Sequence, residues 1–174
     1  YTGLPDPASW QLTPGAAFLH YTPNETIHGV EFHEVPEVGD VPLVADISSN
    51  FLSKPLDVSR FGVLYGGAQK NLGPAGLTLV IVRKSLLGKH GRNLPPIFEL
   101  VNQLKNDSMF NTPPTFAWYV LGLVLQWVKA EGGAKGEVQG GMPADFKLEE
   151  HGLKKLQVAR RGGAVFASFD ADVE

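Results

Sequence analysis

Lys70 stands in the surroundings that depart most from what its residue type prefers. It follows the apolar run FGVLY (61–65) and lies within Gly66-Gly67-Ala68-Gln69-Lys70-Asn71-Leu72-Gly73-Pro74-Ala75-Gly76. Lysine normally occupies exposed, flexible surface. Gly, Ala and Pro neighbours instead allow a ligand to approach the backbone closely. A lysine withdrawn from water loses basicity and becomes a nucleophile, as Schiff-base chemistry needs. A glycine-rich surface loop with an incidental lysine is the competing reading, and residue types alone leave both open. A Walker phosphate loop is disfavoured, because GxxxxGK[ST] is absent and Asn71 follows the lysine.

Asp46 is the second candidate. It closes the apolar run PLVADI (42–47) and precedes Ser48-Ser49-Asn50. Ligand sites in α/β sheets gather at the carboxyl ends of strands, and a partly buried carboxylate needs a cation or hydrogen-bond donors. A helix-cap or turn role is the alternative. His20, His28 and His33 share the first section, but their spacing fits no helical or zinc-ribbon ligand pattern. They are read as structural, with no metal site. Asn24-Glu25-Thr26 and Asn106-Asp107-Ser108 match the glycosylation sequon and are read as chance matches.

The elements that must position these residues are short. Residues 1–16 are rich in Pro and Gly and read as loop. Phe18–Tyr21, Val30–Val35, Pro42–Ile47, Phe61–Tyr65 and Leu77–Val82 read as strands, the last three as buried ones. Pro113-Pro114 opens a helix over Thr115–Ala130, and Gly132-Gly133 closes it. Phe116-Ala117-Trp118-Tyr119 on that helix reads as core. After Gly133 the composition turns to mixed charge and scattered Gly, with Leu148, Leu153 and Leu156 hinting at one amphipathic helix. Buried strands beside a long helix point to an α/β layered fold.

Composition narrows the classes. The chain has 174 residues, 43% apolar and 19% charged, a globular balance. Net charge is −3, which argues against a nucleic-acid partner. The first fifty residues hold seven acidic side chains and no Lys or Arg, so the remainder carries +4. An anionic ligand must find its cations later in the chain, use backbone dipoles, or meet groups from another chain. The absence of cysteine excludes a disulfide scaffold and a thiol nucleophile. The apolar run Phe116–Val128 is too short to span a bilayer, so no membrane partner is expected. No targeting segment is visible. A start at Tyr1-Thr2-Gly3 without Met suggests a processed or partial chain.

Three blocks carry a family resemblance: PNETIHGVEF (23–32), VADISSNFLSKPLDVSRFGVLYGGAQKNLGPAGLTLVIVR (44–83) and NTPPTFAWYVLGLVLQW (111–127). Together they resemble the phosphoserine aminotransferases, class-V pyridoxal-phosphate (PLP) enzymes of the aspartate-aminotransferase fold type. NTPPTFAWY argues against other PLP enzymes of that fold, such as serine–pyruvate aminotransferases or cysteine desulfurases. The resemblance covers roughly residues 1–133 and leaves 134–174 as a divergent tail. It implies an α/β fold: a partial PLP-transferase large domain with a mostly parallel central sheet and flanking helices. The family's N-terminal third and its usual small C-terminal domain are absent from this sequence.

The roles are implied residue by residue. Lys70 resembles the catalytic lysine that holds PLP and moves the substrate proton, and Asp46 the carboxylate that pairs with the pyridine nitrogen. Thr26 and Gln69 resemble cofactor contacts. Asn111 and Thr112 resemble a pair reaching the PLP phosphate of a neighbouring subunit, which implies a homodimer with shared sites. The implied reaction passes an amino group from glutamate to 3-phosphohydroxypyruvate, giving phosphoserine in serine biosynthesis. The family's substrate-binding arginines fall in segments this sequence lacks. The alternative expectation is therefore a truncated, non-catalytic fragment that binds PLP weakly or not at all. The implied compartment is the cytoplasm, with the plastid as an alternative.

Overall fold

A computed structural model describes residues 3–89, 91–133, 157–161 and 164–168. It forms two compact units, Tyr1–Glu137 and Val138–Glu174. In the first, chain order runs β1 (Leu19–Tyr21), β2 (Asn24–Glu25), β3 (Val30–Glu31), β4 (Leu43–Asp46), β5 (Val63–Gly67), β6 (Thr78–Val82), α1 (Leu100–Lys105) and α2 (Thr115–Ala130). The second unit contains an antiparallel hairpin of β7 (Gln157–Arg161) and β8 (Ala164–Ser168), in register from Gln157 opposite Ser168. The helix expected around Leu148, Leu153 and Leu156 lies outside the described residues.

The central sheet has the order β1-β4-β5-β6. β1, β4 and β5 run parallel, and β6 returns antiparallel to β5. The fold is α/β with a mostly parallel sheet. Side chains alternate between faces along each strand, and the register puts Tyr21, Ala45 and Leu64 in one row. That row faces the core, which also takes Leu43, Ile47, Phe51, Phe61, Ala68 and Leu72. Leu43, Leu64 and Leu72 are no more than 2% exposed. Burying each such side chain is worth about 1.5–3 kcal/mol. The Tyr21 hydroxyl shares this environment: burial pushes its pKa up to about 12, against the opposing pull of the Arg60 charge.

The bounds of all five expected strands move, two of them most. β5 runs on through Gly66 and Gly67, because these residues continue to pair with Leu79 and Thr78. The run expected over Val30–Val35 keeps only Val30–Glu31 as strand. The Phe32 N–H donates to the Pro23 carbonyl at 2.7 Å. The Phe32 ring sits edge-on to Trp10 and Tyr21, at 5.7 and 5.8 Å between centroids. Packing of that ring against the core cluster decides the local backbone.

Helix α2 spans the expected residues, but its surroundings differ from expectation. Only Ala117 is buried, and Leu121 packs against the core cluster. Phe116 is 76% exposed and Tyr119 64%, so apart from Ala117 the Phe116–Tyr119 group is not core among the described residues. A helix apolar on most of its circumference needs cover on more than one side, and the described residues cover one stripe. The C-terminus closes as its glycines imply. Gly133, at φ 82°, donates its N–H to the Val128 carbonyl at 2.8 Å.

Burial separates the cost of truncating two leucines. Leu64→Ala is expected to lower unfolding free energy by about 2–5 kcal/mol, read as a drop in the urea midpoint. Leu123→Ala, at a site 45% exposed, is expected to stay within about 0.5 kcal/mol. Similar costs at both sites would contradict the placement of the core.

Candidate active site

The parallel strands β1, β4 and β5 lie side by side, so their carboxyl ends share one edge of the sheet. Asp46 is the last residue of β4. Lys70 follows β5 in the loop toward β6, and Thr26 follows the short strand β2 beyond β1. The sheet therefore gathers three candidates spread over 45 positions.

The Gly-rich loop folds into a single turn. The Leu72 and Gly73 N–H groups both donate to the Ala68 carbonyl, at 3.2 and 2.8 Å, and the Ala68 N–H donates to the Leu77 carbonyl at 2.9 Å. Ala68 and Leu72 drop into the core, each 1% exposed, which leaves Gln69 and Lys70 on the outer side. The Asn71 amide donates to the Phe51 carbonyl and ties the loop to the segment after β4. Gly66 is required by close approach, since a Cβ there would lie 2.8 Å from Phe51 Cδ2 and 3.1 Å from Ser48 N. Gln69 folds back over Gly67, where an added Cβ would collide with its Oε1.

Lys70 Nζ donates to Thr26 Oγ1 at 2.6 Å, and the Thr26 hydroxyl donates to Ser49 Oγ at 3.1 Å. Beside this chain, the Ser48 N–H and hydroxyl donate to Asp46 Oδ1 at 3.0 and 2.6 Å. Ser48 Oγ in turn accepts from the Gly67 N–H at 2.9 Å. Asp46 is half-buried and serves the turn role considered for it from sequence. Both of these bonds fall on Oδ1. Lys70 is exposed among the described residues. Small residues permit close approach, but they do not cover a side chain on the outer side of the turn.

Glu25 holds the turn that presents Thr26. Its carboxylate accepts from the Ile27 N–H at 3.1 Å, the His28 N–H at 2.7 Å and His28 Nδ1 at 2.8 Å. These bonds, led by the backbone N–H of His28, bring the Glu25 pKa down to about 2. Farther out, Glu31 accepts from Lys54 Nζ at 2.8 Å and Asn50 Nδ2 at 3.1 Å. Burial pushes the Glu31 pKa up, but these partners outweigh it and the net displacement is downward.

Asn111 and Thr112 are exposed. Asn111 Nδ2 reaches the Thr112 carbonyl at 3.5 Å. Pro114, just beyond, packs near the Gly-rich loop, where a Cβ on Gly76 would lie 3.6 Å from its Cγ. The structure thus brings Thr26, Lys70, Gln69 and Asp46 to one edge, and no hydrogen bond joins Asn111 or Thr112 to them. Ser48 and Ser49, which join the site, had only the polar run after the strand as their signal in the sequence. No group of three metal-ligating residues occurs among the described residues. A cavity of about 580 Å³ lies elsewhere, on the core face, lined by Tyr21, Phe32, Ile47, Phe51, Phe61 and Leu64 among others. None of the six candidate residues lines it.

Two hydrogen-bonded groups, Lys70–Thr26–Ser49 and Asp46–Ser48, therefore stand at the carboxyl edge of the parallel sheet. The family model for class-V aminotransferases matches residues 2–157, and the chain belongs to that family. It is 58% identical over 135 residues to the phosphoserine aminotransferase of Hahella chejuensis, covering 78% of this chain and 37% of the relative. It is 56% identical over 137 residues to the phosphoserine aminotransferase of Drosophila melanogaster, covering 78% and 38%. Among solved structures it resembles phosphoserine aminotransferase from Bacillus circulans subsp. alkalophilus, with TM-score 0.72, 46% identity and coverage of 76% and 37%. The PLP-bound phosphoserine aminotransferase of Trichomonas vaginalis matches with TM-score 0.72, 40% identity and coverage of 77% and 39%. The chain spans little more than a third of the length of the relatives it matches.

The low pKa of Glu25 gives a pH dependence of definite sign. The folded value lies below the ordinary one of 4.5. The stabilisation is therefore fully present above about pH 4.5 and is lost as pH falls through about 2. Urea midpoints of the unmodified chain and Glu25→Gln should differ above about pH 4.5 and converge toward pH 2. A difference that persists unchanged at low pH would contradict this.

Proposed function

We propose that this chain carries the cofactor-binding edge of a PLP-dependent phosphoserine aminotransferase. The proposed reaction moves an amino group from glutamate to 3-phosphohydroxypyruvate, yielding phosphoserine and 2-oxoglutarate, with a cytoplasmic setting. The observation that carries the reading is the Lys70–Thr26 hydrogen bond at 2.6 Å, at the sheet edge where β4 ends in Asp46. It joins an amine to a hydroxyl from a distant segment at the edge where a parallel sheet presents its ligands. Relatives that bear this name, one of them solved with PLP bound, support the same reading.

The donor set fits the cofactor chemically. Lys70 supplies the primary amine an aldehyde requires, Thr26 a hydroxyl for the ring oxygen, and Asp46 a carboxylate for a protonated ring nitrogen. Ser48 occupies Asp46 Oδ1, which leaves Oδ2 to accept from that nitrogen. When bound, PLP supplies an electron-withdrawing ring that stabilises negative charge at the substrate α-carbon. Lys70 would hold the cofactor through Nζ, and the same amine, when free, would take and return the substrate α-proton as general base and acid. Thr26, bonded to Nζ, keeps that amine at the edge of the site. Gln69, turned back over Gly67, is assigned a supporting cofactor contact.

Asn111 and Thr112 are assigned to the cofactor phosphate of a second subunit in a homodimer with shared sites. Their exposure within one chain supports this, as does the apolar surface of α2 beside them. The division into a cofactor-binding part, residues 1–133, and a distinct tail, residues 134–174, belongs to the same proposal.

A visible absorption titration with PLP tests the reading. The unmodified chain is expected to develop a new long-wavelength band that Lys70→Ala lacks. Glutamate added to the loaded sample should then diminish the band. Identical spectra for both chains would overturn the assignment of Lys70. Asn111→Ala is expected to retain the band but weaken PLP binding about tenfold, the scale of one charge-assisted hydrogen bond. It should do so only at protein concentrations where sedimentation shows a dimer. A loss equal in the monomer would remove the shared-site assignment.

A further inference from the structure

On the face of the sheet opposite the apolar core, a second polar arrangement crosses three strands. His20 stands on β1 and Tyr65 on β5, with the whole of β4 between them. Even so, His20 Nε2 and Tyr65 Oη lie 2.9 Å apart, and the two rings stack at 5.9 Å between centroids and 29° between planes. The alternation that sends Tyr21, Ala45 and Leu64 into the core puts His20, Val44, Asp46, Val63 and Tyr65 on the other face. His20 is the register partner of Val44, and Tyr65 that of Asp46. The bridge therefore crosses β4 beside the carboxylate that the site depends on.

We propose that Tyr65, held in place by His20, is a positioning residue for Asp46 and acts on the cofactor's ring nitrogen only through that carboxylate. This rests on the functional reading above and adds to it two residues outside the donor set. The physical argument concerns what flanks a charge. Ser48 fixes one oxygen of Asp46, but a carboxylate whose remaining side faces water is weakened as a partner by screening. An aromatic ring braced across the strand excludes water from that side and strengthens the pairing. The brace must also stay uncharged. Burial first, and the Asp46 charge second, raise the Tyr65 pKa above its ordinary value of 10.0. The phenol therefore remains a neutral hydrogen-bonding group at physiological pH. The titratable groups set against it are His20 from β1 and Asp46 from β4, while its register partner on β6 is the apolar Val80.

A double-mutant cycle on PLP binding separates positioning from a general effect on folding. The four chains are the unmodified one, Tyr65→Phe, Asp46→Asn and the double variant. Tyr65→Phe is expected to weaken PLP binding about threefold in the unmodified background, the scale of one net hydrogen bond. It should change nothing in the Asp46→Asn background. His20→Phe should show the same dependence on background. An equal loss in both backgrounds would overturn the proposal, because Tyr65 would then act independently of the carboxylate. A second measurement needs no cofactor: the Tyr65 phenol is titrated by its ¹³Cζ resonance in the unmodified and Asp46→Asn chains. Asp46→Asn is expected to lower the midpoint, and an unmoved midpoint overturns the proposal. Should the unmodified chain show no Lys70-dependent PLP band, the functional reading fails by itself, and the phenol titration still decides whether Tyr65 stands against Asp46.

Discussion

Parallel pairing of β1, β4 and β5 is the constraint on which the remaining geometry rests. Parallel strands deliver all their carboxyl ends to one edge, and Asp46, the Thr26 turn and the Lys70 loop all leave the sheet there. The register is held by the opposite face, where Tyr21, Ala45 and Leu64 share one buried row. A slip of one residue would turn that row outward and exchange Asp46 for an apolar neighbour at the site. Core packing and site assembly are therefore one requirement met on two faces of the same strands.

Around that edge the chain spends its small and polar residues on backbone control. Gly66 admits Phe51 and Ser48 at distances that a side chain would forbid. Ser48 then links the Gly67 N–H to the Asp46 carboxylate. Ala68 and Leu72 anchor a single turn whose outer side carries Gln69 and Lys70. Glu25 closes a turn that holds the Thr26 hydroxyl within reach of the lysine. The candidate chemical groups lie at the ends of these devices, and none of them stabilises the fold by burial.

The differences from the sequence reading share one cause, which is that residue type reports preference and not cover. Small neighbours around Lys70 marked a ligand-sized approach, but its exposure is set by the Ala68–Gly73 turn. The aromatic cluster Phe116–Tyr119 has the composition of a core, yet only Ala117 finds cover among the described residues. The alternation at Val30–Val35 had the period of a strand. Phe32 breaks it, because packing beside Trp10 and Tyr21 offers that ring more than a continued ladder would.

The sequence by itself determined the α/β class, the positions of β4, β5, β6 and α2, and the nomination of Lys70 and Asp46. All of these follow from local patterns: runs of apolar residues, glycine and proline punctuation, and a lysine among small residues. The blocks that matched a family extended the nomination to Thr26, Gln69, Asn111 and Thr112. Tertiary structure alone decided that Thr26 bonds Lys70 across 44 positions, that Ser48 holds Asp46 Oδ1, and that His20 meets Tyr65 over β4. The reason is that strand order and register are set by the summed burial of one face. No local pattern records which residues that burial will bring together on the other.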